Sequence, residues 1–130
     1  MTQTDTQILR SGYESFAARD VAAVLAVFAD DITWHVPGRS PMAADYTGHD
    51  EVVRFIQMLG ERSDGTFRLE VHDILDNGDG RLVALVTENA QRNGATLNSP
   101  AVHVWRLQGG KATSFDAFMH DDYSFDEFWS

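Results

Sequence analysis

Apolar residues recur at helical spacing in the first half of the chain and at period two in the second half. From Ile8 to Ala18, the residues Ile8, Leu9, Tyr13, Phe16 and Ala17 fall on one helical face, while the polar stretch Thr2 to Gln7 is expected to fray. Asp20 stands where it would cap a second helix, whose stripe is Val21, Val24, Leu25 and Phe28. Ile32, Trp34 and Val36 then alternate with Thr33 and His35, the signature of a half-buried strand. Pro37-Gly38 ends it, because proline has no N–H for a ladder and glycine permits a turn. Residues 37 to 48 read as a loop. A third helix follows Gly48, with Val52, Val53, Phe55, Ile56 and Leu59 inward and Gly60 near its end.

Strands are predicted over Thr66 to Leu75 and Leu82 to Arg92, separated by the turn signal Asp76-Asn77-Gly78-Asp79-Gly80. Asn93-Gly94 is the favoured dipeptide of a two-residue hairpin. A further strand, Ala101 to Leu107, turns at Gly109-Gly110 into Lys111 to Met119. Phe125, Phe128 and Trp129 then mark a short terminal helix or a docked tail. Three helices, one early strand and a long antiparallel meander make one α+β domain spanning 1–130. A strongly curved, mostly antiparallel sheet wrapped over those helices would leave a cone with a pocket inside.

Charge narrows the partners. Twenty acidic against ten basic residues give a formal charge of −10, which repels phosphate and argues against nucleic acid and anionic membranes. With no cysteine there is neither a disulfide framework nor a thiolate nucleophile. Met1 to Arg10 lacks the basic start and apolar run of a signal peptide, and no stretch approaches the roughly 20 apolar residues of a membrane span. A soluble cytoplasmic protein is the expectation.

Several segments carry a resemblance. They are Tyr13-Glu14-Ser15-Phe16 with Arg19-Asp20, Phe28-Ala29-Asp30-Asp31-Ile32-Thr33-Trp34, Pro37-Gly38 and Tyr46-Thr47-Gly48. They continue with His103-Val104-Trp105-Arg106-Leu107, Gly110-Lys111, Asp121-Asp122-Tyr123 and Asp126-Glu127-Phe128-Trp129. In these the chain resembles the nuclear transport factor 2-like superfamily, and within it the SnoaL-like and ketosteroid isomerase-like proteins. The resemblance covers nearly the whole chain and implies the cone fold. It does not choose a function, because isomerases, cyclases, dehydratases, epoxide hydrolases and non-catalytic binders share that fold.

Register selects the candidate chemistry. If Asn93-Gly94 is a two-residue turn, Arg92 opposes Ala95, so that His103 faces Ala84 and Trp105 faces Leu82. Glu88 lies on the same sheet face unless Asn98-Ser99-Pro100 carries a bulge. On the last strand, a three-residue turn at Gln108 to Gly110 puts Phe115, Ala117 and Met119 beside His103, whereas a two-residue turn puts Asp116 there. The first is favoured because it buries apolar residues.

His103 is the leading catalytic candidate. The resemblance implies that isomerase-like members carry at its position an acid that hydrogen-bonds a substrate oxyanion. A histidine there could donate to a carbonyl oxygen or shuttle a proton. Alternatively it is a core histidine satisfied by its neighbours, or a surface residue at an interface. The carboxylate of ketosteroid isomerases, two residues after the position of Trp34, is replaced by Val36, which cannot abstract a proton; His35 points to the opposite face. Asp121 continues the register of Phe115, Ala117 and Met119. By resemblance to the SnoaL-like cyclases it would act as general acid and base at the pocket mouth, its pKa raised by partial burial. The alternative is a solvated loop or the cap of the final helix.

Tyr13 could offer a phenolic donor to a ligand, or could simply pack against Trp34. Trp34, Val36, Phe55, Trp105, Phe115 and Met119 are the expected apolar substrate-binding wall, suited to a small hydrophobic molecule. His49, His72 and His120 are expected on the solvent side. The histidines have no metal-ligand spacing, and there is no GxSxG, P-loop or dinucleotide fingerprint. Chemistry without metal or cofactor is therefore expected. Val102 and Val104, alternating away from the pocket, suggest an outer sheet face covered by a homodimer partner.

Overall fold

The computed structural model describes residues 3–130, so Thr2 lies outside the described residues. The elements run α1 (Asp5–Ala17), α2 (Val21–Ala26), β1 (Phe28–Val36), β2 (Ala44–Thr47), α3 (Gly48–Arg62), β3 (Arg68–Asp76), β4 (Arg81–Arg92), β5 (Ala95–Gln108), β6 (Lys111–Met119) and α4 (Asp122–Trp129). One six-stranded sheet takes the order β2-β1-β6-β5-β4-β3. Its pairs are antiparallel except β1 with β6, which is parallel. The sheet curves over the helices, and the buried apolar residues of both layers form one core.

The helices start where their caps put them. Rather than fraying, Thr4 and Gln7 form a reciprocal capping box: Gln7 N–H donates to Thr4 Oγ1 at 3.1 Å and Thr4 N–H to Gln7 Oε1 at 2.9 Å. Asp20 caps α2 through the N–H of Ala23. That helix stops at Ala26, and Phe28 opens β1 instead of closing the α2 stripe. The Ala112 N–H of β6 reaches Val27 O at 2.8 Å, so sheet pairing captures the chain there. Inside the expected 37–48 loop lies β2, a four-residue edge strand with one buried residue, Tyr46. So short and exposed a strand leaves no period to read.

In the hairpins the register is uninterrupted from Arg92↔Ala95 to Arg81↔Arg106, with no bulge at Asn98-Ser99-Pro100. Asn93 and Gly94 both adopt positive φ, 51° and 81°, as a type I′ turn requires. β5 is longer than expected and contains Pro100. Pairing with β6 begins one residue later, at Ala101↔Met119, so the missing N–H falls where β5 is flanked on one side only. The β5–β6 turn is the two-residue one, with Gln108 opposite Lys111, contrary to the favoured three-residue turn. A bulge at Thr113 restores the apolar face by adding one residue. Trp105 thus opposes Phe115, His103 opposes Ala117 and Ala101 opposes Met119.

The chain ends in α4, which buries Phe125, Phe128 and Trp129. Its last carbonyls take guanidinium N–H groups from Arg62 and Arg92, including Arg92 to Ser130 O at 2.7 Å. Among the described residues no helix is long and apolar enough to cross a membrane.

Candidate functional site

The concave face of the sheet and helices α1 to α3 enclose a hollow of about 80 Å³. Trp34, Val36, Phe55, Trp105, Phe115 and Met119 all stand on its wall. Strand alternation puts them there: Trp34 and Val36 from β1, Trp105 from β5, Phe115 and Met119 from β6. Trp34 stacks on Phe115 at 3.8 Å between ring centroids, 22° from parallel, and Trp105 meets both rings edge-on. Such faces accept a flat ring better than a branched chain.

Three ionisable side chains reach this wall: Tyr13, Glu88 and His103. They belong to α1, β4 and β5, and they touch one another. Tyr13 Oη lies 2.7 Å from His103 Nδ1, and His103 Nε2 lies 3.1 Å from Glu88 Oε2. Trp105 donates its indole N–H to Tyr13 Oη at 3.0 Å. Glu88 and His103 are buried, 5% and 4% exposed, so this polar chain is set in a wall otherwise built of carbon. Tyr13 packs on His103 and Trp105, not on Trp34.

Donor counting assigns the protons. Burial pushes the Tyr13 phenol far above its ordinary value of 10.0, partly offset by the Trp105 N–H and reinforced by the Glu88 charge. The phenol therefore keeps its hydrogen. With a neutral imidazole, that hydrogen goes to Nδ1, and Nε2–H goes to the Glu88 carboxylate. The result is a continuous hydrogen-bonded chain, Tyr13–His103–Glu88, along the cavity wall. Both imidazole nitrogens are engaged, the arrangement of a satisfied core histidine, yet the ring also lines the hollow.

Asp121 does not stand at the pocket. It is fully exposed, accepts from the N–H groups of Tyr123 and Ser124, and caps α4. Its pKa is lowered, first by the Ser124 hydroxyl at 2.6 Å, rather than raised by burial. The strand ends at Met119, so the alternation that pointed Asp121 inward no longer applies two residues later. His49 is not free on the solvent side either; half-buried, it contacts Phe28 O at 3.1 Å and ties α3 to β1. His72 and His120 are exposed.

Glu88 is the residue the sequence undervalued. The hairpin register places it on the inner face, and the uninterrupted pairing of Glu88 with Ser99 keeps it there. One further polar group is unspent: the indole N–H of Trp34 is buried without a hydrogen-bond partner. Leaving that donor unmet costs about 1–3 kcal/mol.

A curved mixed sheet closed over helices around an apolar hollow defines the nuclear transport factor 2-like class of α+β proteins. Within it, the chain belongs to the SnoaL-like domain family, whose model matches residues 9–115. It is similar to the uncharacterized protein Rv0034 of Mycobacterium tuberculosis, 29% identical over 126 residues, covering 97% of this chain and 96% of the relative. Among solved structures it is similar to Bal32a from a soil-derived mobile gene cassette, with a TM-score of 0.94 and 28% identity over 97% of this chain and 96% of that one. A nuclear transport factor 2-like protein of unknown function from Burkholderia pseudomallei matches at a TM-score of 0.88 and 29% identity, over 99% of both chains.

Proposed function

We propose that this protein binds a small hydrophobic molecule in the cavity and moves a proton on it, without a cofactor, by general acid–base catalysis. The reaction class is isomerisation, cyclisation or dehydration of a carbonyl compound. The observation that carries this reading is the buried Tyr13–His103–Glu88 chain on an otherwise apolar wall. A carboxylate–imidazole–phenol path can hand a proton along its length, and burial strengthens each electrostatic step by excluding water. In this scheme Glu88 supplies the carboxylate that Val36 cannot, from β4, three strands away on the same concave face. Tyr13 and His103 carry the proton, and the Trp34–Phe115 stack positions the ligand. Asp121 has no part in it. The working unit is a homodimer joined through the outer sheet face, away from the cavity.

A second reading is a binding module with the same cavity and no turnover. Val36 favours it, as does the mutual satisfaction of Tyr13, His103 and Glu88 in the absence of ligand. Solvent deuterium exchange into the α-carbon of 2-tetralone, followed by NMR, separates the two. Enzyme-catalysed exchange at least about a hundredfold above the buffer rate, lost in Glu88→Gln and Tyr13→Phe while the ketone still binds, supports catalysis. Binding with exchange at the buffer rate supports the module.

A further inference from the structure

The polar end of the cavity has spent its donors. With the imidazole neutral, Tyr13 gives its one hydroxyl hydrogen to His103 Nδ1, and His103 gives Nε2–H to Glu88 Oε2. What remains are acceptors. Glu88 Oε1 has no hydrogen-bond partner among the described residues, although the residue is 5% exposed and lines the cavity. Tyr13 oxygen, already accepting from Trp105, keeps one lone pair. Among the described residues, no lysine or arginine lies within ion-pair distance of Glu88.

We propose that the ligand is an apolar molecule with an acidic hydroxyl, a phenol or an enol, whose O–H is donated to Glu88 Oε1. This rests on the reading of the cavity as a ligand site and names the ligand class it selects. A ketone or ether brings acceptors only, so its oxygen would meet the carboxylate lone pair to lone pair. An ammonium brings a full charge as well as three N–H groups into a wall otherwise built of carbon, and must lose its hydration to enter. A hydroxyl brings one hydrogen and meets the vacancy. Its aromatic or conjugated frame suits the Trp34–Phe115 stack. An enol is also the tautomer reached when a ketone loses an α-proton from carbon and gains one on oxygen. The preference therefore falls on an intermediate of the chemistry proposed above rather than on its starting ketone.

The test is a calorimetric titration of the full chain with 2-naphthol, 2-methoxynaphthalene and 2-naphthylmethylamine. A charge-assisted hydrogen bond in a buried site predicts 2-naphthol at least about tenfold tighter than its methyl ether, with the amine no tighter than the ether. In Glu88→Gln the ratio of naphthol to ether should fall to about twofold, because the acceptor loses its charge. Equal binding of naphthol and ether by the wild-type protein overturns the hydroxyl assignment and leaves the ligand site standing. Tightest binding of the amine overturns it in favour of a cation. If none of the three binds, the cavity is not a site for such molecules, and both readings fall together. The wild-type ratios decide these outcomes even if the variant does not fold.

Discussion

Tyr13 has one hydroxyl hydrogen and stands between an imidazole nitrogen and an indole N–H, so its removal strands both neighbours at once. Tyr13→Phe keeps the ring but leaves His103 Nδ1 and the Trp105 N–H unpaired in a buried wall, which should cost about 1–3 kcal/mol in urea unfolding. The pH dependence of that cost follows from the raised phenol pKa. Above the unfolded value of about 10, the unfolded state has released the proton that the folded state still holds, so folding stability falls as pH rises. Below that value the contribution is complete. The stability difference between wild type and Tyr13→Phe should therefore be flat up to about pH 9 and shrink above about pH 10. A difference constant to pH 11 would mean that the phenol ionises freely in the folded protein. At this scale His103 was legible because a two-residue turn fixes every opposing pair by counting. Glu88 was legible by the same count, but Asn98-Ser99-Pro100 cast doubt on it. Proline there is harmless because β6 has already ended, which only the sheet order reveals.

Elements end where caps and contacts end them, and α4 illustrates both. Asp121 carries the helix start through its carboxylate, so Asp121→Ala should lower the melting temperature by fraying α4. The lowered pKa means that this contribution is present above the unfolded carboxylate value and is lost as pH falls through the folded one. The effect of the substitution should therefore shrink as pH falls below the ordinary carboxylate range. Further along the helix, Asp126 Oδ1 accepts the N–H of Arg39 at 2.9 Å and that of Ser40 at 3.3 Å, pinning the 37–43 loop. Gly38 has φ of +101°, and a Cβ on it would strike that same Asp126 oxygen. Gly38→Ala should accordingly destabilise by more than the roughly 1 kcal/mol of an ordinary unfavourable glycine replacement, measured by denaturant midpoint. It should also loosen Met42, which that loop delivers to the cavity floor. The period-based reading found the long strands and α3 because packing repeats along them. It missed the start of α1, the edge strand β2 and the bulge at Thr113, each set by a local cap or short pairing that leaves no period.

For the molecule as a whole, the two faces of the sheet have divided labour. The concave face holds the cavity, and this was readable because inward residues on β4, β5 and β6 are apolar nearly throughout. The convex face carries a second apolar surface. Leu75, Val83 and Val104 form one row across β3, β4 and β5, and Leu85, Val102 and Phe118 the next across β4, β5 and β6. Leu75 is 50% and Phe118 57% exposed, so the rows are not covered by the chain itself. Charges border them: Asp73 and Asp116 at the row ends, Arg81 and Arg106 alongside. A two-fold copy laid face to face brings like surface to like surface and can set the arginines of one copy against the aspartates of the other. Light scattering on a gel-filtered sample should therefore give twice the chain mass of 14.5 kDa at micromolar concentration. Phe118→Asp places a charge at the β6 end of the second apolar row and should return the mass of a single chain. Because Phe118 lies on the opposite face from the cavity, that variant should still bind 2-naphthol as the wild type does. A wild-type mass of one chain would leave these rows as plain solvent-facing surface, and a loss of naphthol binding on monomerisation would mean that the cavity depends on its neighbour.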